Sequence, residues 1–183
     1  MLSEINSVSI FAAHSIFIDS YTYHLLPFYC PFMSVSITRH FADHAFCHTE
    51  YIPTEHWLRT TWQGFVAPTN AEQGAAAALE ALRQMPSPYL LNDNSQIQGP
   101  WFDSVDWLQQ VWAPQASYLG LRYVAHVLQP HTEADLSFLL TKDPFADKFE
   151  LQLFTTVDEA ATWLRECQHR DAWPQGPDLS AAA

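Results

Sequence analysis

The chain has 183 residues, a length typical of a single globular domain. Hydrophobic residues make up 48% of it and charged residues 15%, which leaves enough apolar material for a packed core. The formal net charge of −12 repels phosphate backbones and the eight Lys and Arg residues are scattered, so we predict no nucleic-acid partner.

Cysteine usage indicates a reducing compartment. Cys30, Cys47 and Cys167 form no C-x-x-C pair, and an odd, sparse set argues against a disulfide framework. We therefore predict a cytoplasmic protein. We also predict no membrane span, because no apolar run is long enough to cross a bilayer.

Residues 1–32 form an apolar, aromatic extension that contains Glu4 and Asp19 but no Lys or Arg. It lacks the basic start and cleavage site of a secretory signal. Either the natural start is Met33, or the extension is an aromatic arm that packs on the domain or on a second subunit. We favour the first interpretation, because an unpaired apolar arm is a liability in solution.

The regular pattern begins at Met33. Segments 45–51 and 56–66 are rich in aromatic and β-branched residues and flank a turn at 53–55, which predicts an antiparallel hairpin. Asn70, with Gln73 three positions later, has a capping-box pattern that predicts a helix start. Pro86 and Pro88 should end that helix.

The middle of the chain predicts a strand, a polar loop and a helix. The strand covers 89–92, and the loop begins at Asp93. Asp103 or Ser104 should cap the helix, Pro114 should kink or break it, and Gly120 should close it.

The last third predicts two more strands and two helices. The strands are 121–128 and 149–154, and a short helix lies between them around 134–140. Thr156 and Glu159 form a capping box, and the helix that follows has an apolar face made by Ala160, Trp163, Leu164 and Cys167. Residues 171–183 should be a disordered tail.

The order of elements is β-β-α-β-α-β-α-β-α. It predicts an α/β fold over residues 33–170, with an N-terminal hairpin followed by βα units. The sheet should be mixed and mostly parallel, with helices packed on it.

The chain resembles the STAS/SEC14-like family of small bacterial proteins, relatives of the anti-sigma-factor antagonists. The matching segments are 60–66, 90–95, 107–114, 120–127 and 154–164. The resemblance implies a STAS-like fold and a regulatory role, in which a Ser or Thr at a helix start can be phosphorylated. Ser104 is the matching serine, but Val105 and Asp106 depart from the family pattern. Ser104 as a simple helix cap is the favoured alternative.

A candidate surface for a partner or ligand follows from this arrangement, because ligands of open α/β sheets bind beyond the carboxyl ends of strands. The surface lies between the predicted end of the strand and the predicted start of the helix, with polar residues on both sides of one tryptophan. Its members are Asn92, Asp93, Asn94, Ser95, Trp101, Asp103 and Ser104. The alternative for the segment 93–95 is an Asx-type turn that satisfies backbone amides. The alternative for Trp101 is a plug over the end of the sheet.

Histidines offer a second set of candidates. A metal is suggested by His40, His44, His48 and His56 with Cys47. In a strand, however, His44 and His48 would share one face and Cys47 the other. His126 lies in a predicted buried strand, and we predict that it is a hydrogen-bonded core histidine. We predict no metal, no cofactor and no catalytic set.

Three functions are consistent with the sequence. The first is a non-enzymatic regulatory or protein-interaction module with a protein partner, and a homodimer is compatible with it. The second is a small-molecule or lipid-binding domain, which a sizeable apolar pocket would support. The third is a hydrolase or other enzyme that uses Asp93, Ser95 or Ser104 with a histidine. It requires His44, His126 or His131 within hydrogen-bonding reach of a serine.

Overall fold

A seven-stranded sheet in sequential strand order is the central layer of the computed structural model, which describes residues 7–8, 34–99, 105–129, 145 and 147–172. The strands are β1 (Ser7–Val8), β2 (Ser36–His40), β3 (Phe46–Ile52), β4 (Trp57–Phe65), β5 (Tyr89–Gln98), β6 (Tyr123–Val127) and β7 (Glu150–Phe154). β1 to β4 pair antiparallel, and β4 to β7 pair parallel. Among the six longer strands three of the five pairings are parallel, so the predicted mixed, mostly parallel sheet is confirmed.

The predicted hairpin is β3–β4. Its register pairs Ile52 with Trp57, and the turn closes through His56, whose amide donates to the Ile52 carbonyl at 2.9 Å. His56 adopts a left-handed conformation with φ of 58°. The two strands are therefore joined by a tight turn at the predicted place.

Four α-helical segments accompany the sheet in the described residues. They are α1 (Pro68–Gln84), α2 (Val105–Trp107), α3 (Ala113–Tyr118) and α4 (Val157–Ala172). A short 3₁₀ segment, Ala42–His44, joins β2 to β3. The predicted start of α1 at Asn70 is wrong, because the helix begins two residues earlier at Pro68. A proline at the first helical position has no amide that needs a partner, so it begins a helix well.

A π-helical segment, Leu108–Trp112, connects α2 to α3. The hydrogen bond that defines it runs from the Ala113 amide to the Leu108 carbonyl, five residues earlier in the chain. Pro114 follows and cannot donate to Gln110. The wider turn thus absorbs the proline, and the helix changes type where a kink or break was predicted.

The sheet separates two apolar cores. One lies between the sheet and the helices α1, α2 and α3, and it includes Ile37, Leu58, Leu82 and Leu121. The other lies between the sheet and α4, and it includes the predicted apolar face of that helix, Ala160, Trp163, Leu164 and Cys167. The capping box is present as well, since the Glu159 amide donates to Thr156 Oγ1 at 3.3 Å.

Helix α4 continues to Ala172, two residues into the segment predicted as a tail. Asp171 holds this end, because its carboxylate accepts hydrogen bonds from the hydroxyls of Tyr89 at 2.8 Å and Tyr123 at 3.0 Å. The short helix predicted around 134–140 and the remainder of the predicted tail lie outside the described residues. In the part of the chain that is described, no helix combines the length and apolar character needed to cross a membrane.

Candidate ligand-binding site

The predicted polar loop after Asn92 is wrong, because β5 runs on to Gln98. Asn, Asp and Ser are poor strand formers, but Asn92 and Asp93 pair with β4 opposite Thr60 and Thr61. The register then shifts, and pairing with β4 resumes at Gln96, opposite Gln63. β6 pairs on the other side, with His126 opposite Asn92. Pairing on both edges at Asn92 and Asp93, together with the renewed pairing to β4 from Gln96 to Gln98, overrides the local preference.

Alternation along β5 places the polar residues on opposite faces of the sheet. Asn92 and Asn94 face α1, on the side of the larger core. Asp93 faces the other side, where Arg59 Nη2 donates to its Oδ2 at 2.9 Å. Its Oδ1 accepts from the amide of Ser95 at 3.2 Å and from the hydroxyl at 2.7 Å, the Asx-type contact of the second interpretation.

The four described residues of the predicted surface therefore divide between the two faces of the sheet. Asn92 and Asn94 line a cavity, whereas Asp93 and Ser95 engage each other. Trp101, Asp103 and Ser104 lie outside the described residues.

The cavity lies between the sheet and the helical layer and has a volume of about 100 Å³. Its apolar walls come from α1, from the segment 105–112, from the strands and from residues 145–153, and include Ala71, Ala75, Ala78, Leu90, Ile97, Val105, Leu108, Trp112, Val124, Phe145, Phe149, Leu151 and Leu153. Its polar contributors lie on the floor formed by β4, β5 and β6: Thr60, Trp62, Asn92, Asn94 and His126.

Small residues and anchored aromatics shape the helical walls. Gly74 and the alanines of α1 bring that helix close to the sheet, so the ring of Trp62 packs directly against Gly74. Trp112 Nε1 donates to the Ala75 carbonyl at 2.8 Å, which fixes the π segment on α1. Phe149 meets the Trp112 ring edge-on with 5.9 Å between centroids.

A hydrogen-bond network crosses the floor of the cavity. Trp62 Nε1 donates to Asn92 Oδ1 at 3.0 Å, and Asn92 Nδ2 contacts both Asn94 Oδ1 at 3.1 Å and His126 Nδ1 at 3.0 Å. An indole nitrogen can only donate, so the Asn92 oxygen must face Trp62 and its amide hydrogens must face the other two groups. Asn92 is thus held at three points.

The protonation state of His126 follows from this network. Burial lowers the pKa of His126 to about 4, although the nearby Asp93 carboxylate raises it slightly. The imidazole is therefore neutral near pH 7. Because Nδ1 accepts from Asn92, the ring hydrogen sits on Nε2, an atom that is excluded from solvent. His126 is hydrogen-bonded, as predicted, and it also lines the cavity.

Sequence reasoning did not find this cavity. It placed Asn92 at the end of a strand and Asn94 in a loop. The available signal was the alternation of Leu90, Asn92 and Asn94, which places an amide pair on the face that also carries Thr60, Trp62 and His126.

Comparisons with known proteins give this chain no relative. No protein-family model matches it, and neither the curated proteins nor the solved structures contain a match.

Proposed function

We propose that this protein is a binding module for a small, largely apolar molecule held in the cavity between the sheet and α1. The observation that carries the proposal is the combination of an apolar enclosure with one polar wall, on which the side chains of Asn92, Asn94 and His126 are already fixed by hydrogen bonds. Such pockets bind by burying apolar surface and use a few placed polar groups to orient the ligand.

The cavity volume limits the ligand. A cavity of about 100 Å³ is smaller than the sites that enclose drug-sized molecules. An apolar protein cavity of roughly 150 Å³ accepts benzene, so a single small ring or a short branched chain is the upper limit of size here. A ligand with about seven heavy atoms should bind with a dissociation constant of roughly 10 µM to 1 mM.

The cavity changes the order of the three predicted functions. It supports the small-molecule alternative, as does the SEC14 side of the resemblance to the STAS/SEC14-like family. A regulatory interaction module in the cytoplasm stays a prediction, and small-molecule binding is compatible with a regulatory role. The hydrolase gains no support at Ser95, because its hydroxyl donates to the Asp93 carboxylate and not to a histidine.

The test is a titration with cyclohexanone followed by amide chemical shifts. We expect saturable shifts in residues around the cavity, such as Ala75, Asn94 and Val124. Ala78→Leu places three additional carbon atoms at the cavity wall and should abolish them. Ala76→Leu is the matched control, because Ala76 lies on the exposed side of the same helix. Saturation that persists unchanged in Ala78→Leu would place the ligand elsewhere and refute the proposal.

A further inference from the structure

One amide on the cavity floor has an unused donor. Asn94 is 2% exposed and lines the cavity. Its Oδ1 accepts from Asn92 Nδ2, which turns its own Nδ2 away from that partner. Among the described residues, no acceptor is hydrogen-bonded to Asn94 Nδ2.

The orientation of this amide follows from groups farther along the network. Trp62 fixes the oxygen of Asn92, and the hydrogens of Asn92 in turn fix the oxygen of Asn94. A flipped Asn94 would place two amide NH₂ groups against each other. Because the Asn94 side chain lies in a largely apolar and nearly buried environment, a hydrogen bond from its amide to a ligand acceptor would gain more here than in water.

The charge of the lining limits that acceptor. No Lys, Arg, Asp or Glu occurs among the described residues that line the cavity, and His126 is neutral near pH 7. An ionised ligand would lose its hydration without gaining an ion pair, which is strongly unfavourable. The Asp93 carboxylate, which acts on His126, is already paired with Arg59 on the other face of the sheet.

We propose that the cavity selects an uncharged ligand about the size of one ring that carries a hydrogen-bond acceptor such as a carbonyl oxygen, and that Asn94 Nδ2 donates to this acceptor. This inference rests on the proposed binding function and adds to it the chemical class of the ligand and a residue that determines specificity.

The experiment compares two probes of nearly equal shape, cyclohexanone and methylenecyclohexane, in which a carbonyl oxygen is exchanged for a CH₂ group. Dissociation constants are measured by chemical-shift titration for the wild-type protein, for Asn94→Leu and for Gln96→Leu. Gln96 is the matched control, because it lies exposed on the same strand. The ratio of the two constants is compared between proteins, so the different hydration of the two probes cancels.

We expect Asn94→Leu to shift this ratio against cyclohexanone by on the order of tenfold, the effect of one buried hydrogen bond, while Gln96→Leu leaves it unchanged. Binding of methylenecyclohexane to Asn94→Leu also confirms that the variant keeps its cavity. Cyclohexanecarboxylate and cyclohexylammonium should bind at least tenfold more weakly than cyclohexanone.

The outcomes separate the two proposals. Failure of both neutral probes to bind the wild-type protein would refute the binding function itself. Binding of both with a ratio that Asn94→Leu does not change would leave the cavity as a binding site but refute the role of Asn94. Tighter binding of the carboxylate or the ammonium would refute the uncharged class.

Discussion

Gly74→Ala tests the close packing of α1 on the sheet, because helix propensity predicts a more stable protein and the structure predicts a less stable one. Gly in a helix interior costs about 1 kcal/mol relative to Ala, so helix propensity alone predicts a gain in stability. In the structure, a Cβ at Gly74 would collide with Trp62 Cη2 and lie 2.7 Å from Cζ3 of the same ring. It would also lie 2.9 Å from Cys47 Cβ.

The collision cannot be relieved at low cost. Trp62 is 6% exposed and its Nε1 is bound to Asn92, while Cys47 is fully buried in β3. Overpacking of this kind costs roughly 1–3 kcal/mol, with more expected where a held aromatic ring must move. Because the Trp62 ring is held, we place the overpacking cost at about 2–3 kcal/mol. After subtracting the propensity gain of about 1 kcal/mol, we expect a net loss of about 1–2 kcal/mol in the free energy of unfolding.

Urea unfolding measures this free energy, and Ala76→Gly provides the control. Ala76 is exposed on α1, so its replacement should lose only the propensity of about 1 kcal/mol. The Asn92 side-chain amide resonances should shift in Gly74→Ala, because the ring of Trp62 moves. A gain of about 1 kcal/mol in Gly74→Ala would refute the close contact between α1 and Trp62.

Three further predictions concern the rest of the fold. Trp163→Ala should cost about 3–5 kcal/mol in urea unfolding, because it opens a cavity in the core beneath α4, and a loss below about 1 kcal/mol would contradict the assigned face. Because the pKa of His126 is lower in the folded than in the unfolded state, the free energy of unfolding should fall as the pH drops from 6.5 to 4. Between pH 7.5 and 5, the wild-type protein should lose about 2 kcal/mol more of this free energy than His126→Gln. Equal losses would argue against a buried neutral ring. Asp171→Ala should cost about 1–3 kcal/mol because two tyrosine hydroxyls lose their shared acceptor, with Asp171→Asn closer to wild type; an unchanged midpoint in Asp171→Ala would show that this contact does not hold the end of α4.

Local sequence patterns predicted the elements that depend on interactions between residues close together in the sequence. The turn between β3 and β4, the capping box at Thr156 and the apolar face of α4 depend on residues within a few positions of each other, so sequence spacing defines them. The alternation of strands and helices likewise gave the mixed sheet. These features need no knowledge of distant pairing.

Two features depend on contacts between residues that are far apart in the sequence, and the local pattern did not predict them correctly. β5 continues beyond Asn94 and Ser95 because β4 pairs with it again from Gln96 to Gln98 after a register shift, a pairing that composition alone does not reveal. The cavity depends on Trp62 meeting Asn92 across 30 positions, and on Asn92 meeting His126 across 34. No periodicity within one segment encodes either contact.

The direction of the polar network originates in one side chain. Amides and neutral imidazoles can reverse their donors and acceptors, and a network of them alone would have several arrangements of similar energy. The indole of Trp62 can only donate, so it selects one arrangement for Asn92, then for Asn94 and His126. Gly74 matters to the same result, since it leaves the space in which that indole lies. A glycine in a helix thereby determines which hydrogen-bonding group the cavity presents, and it does so without contacting a ligand.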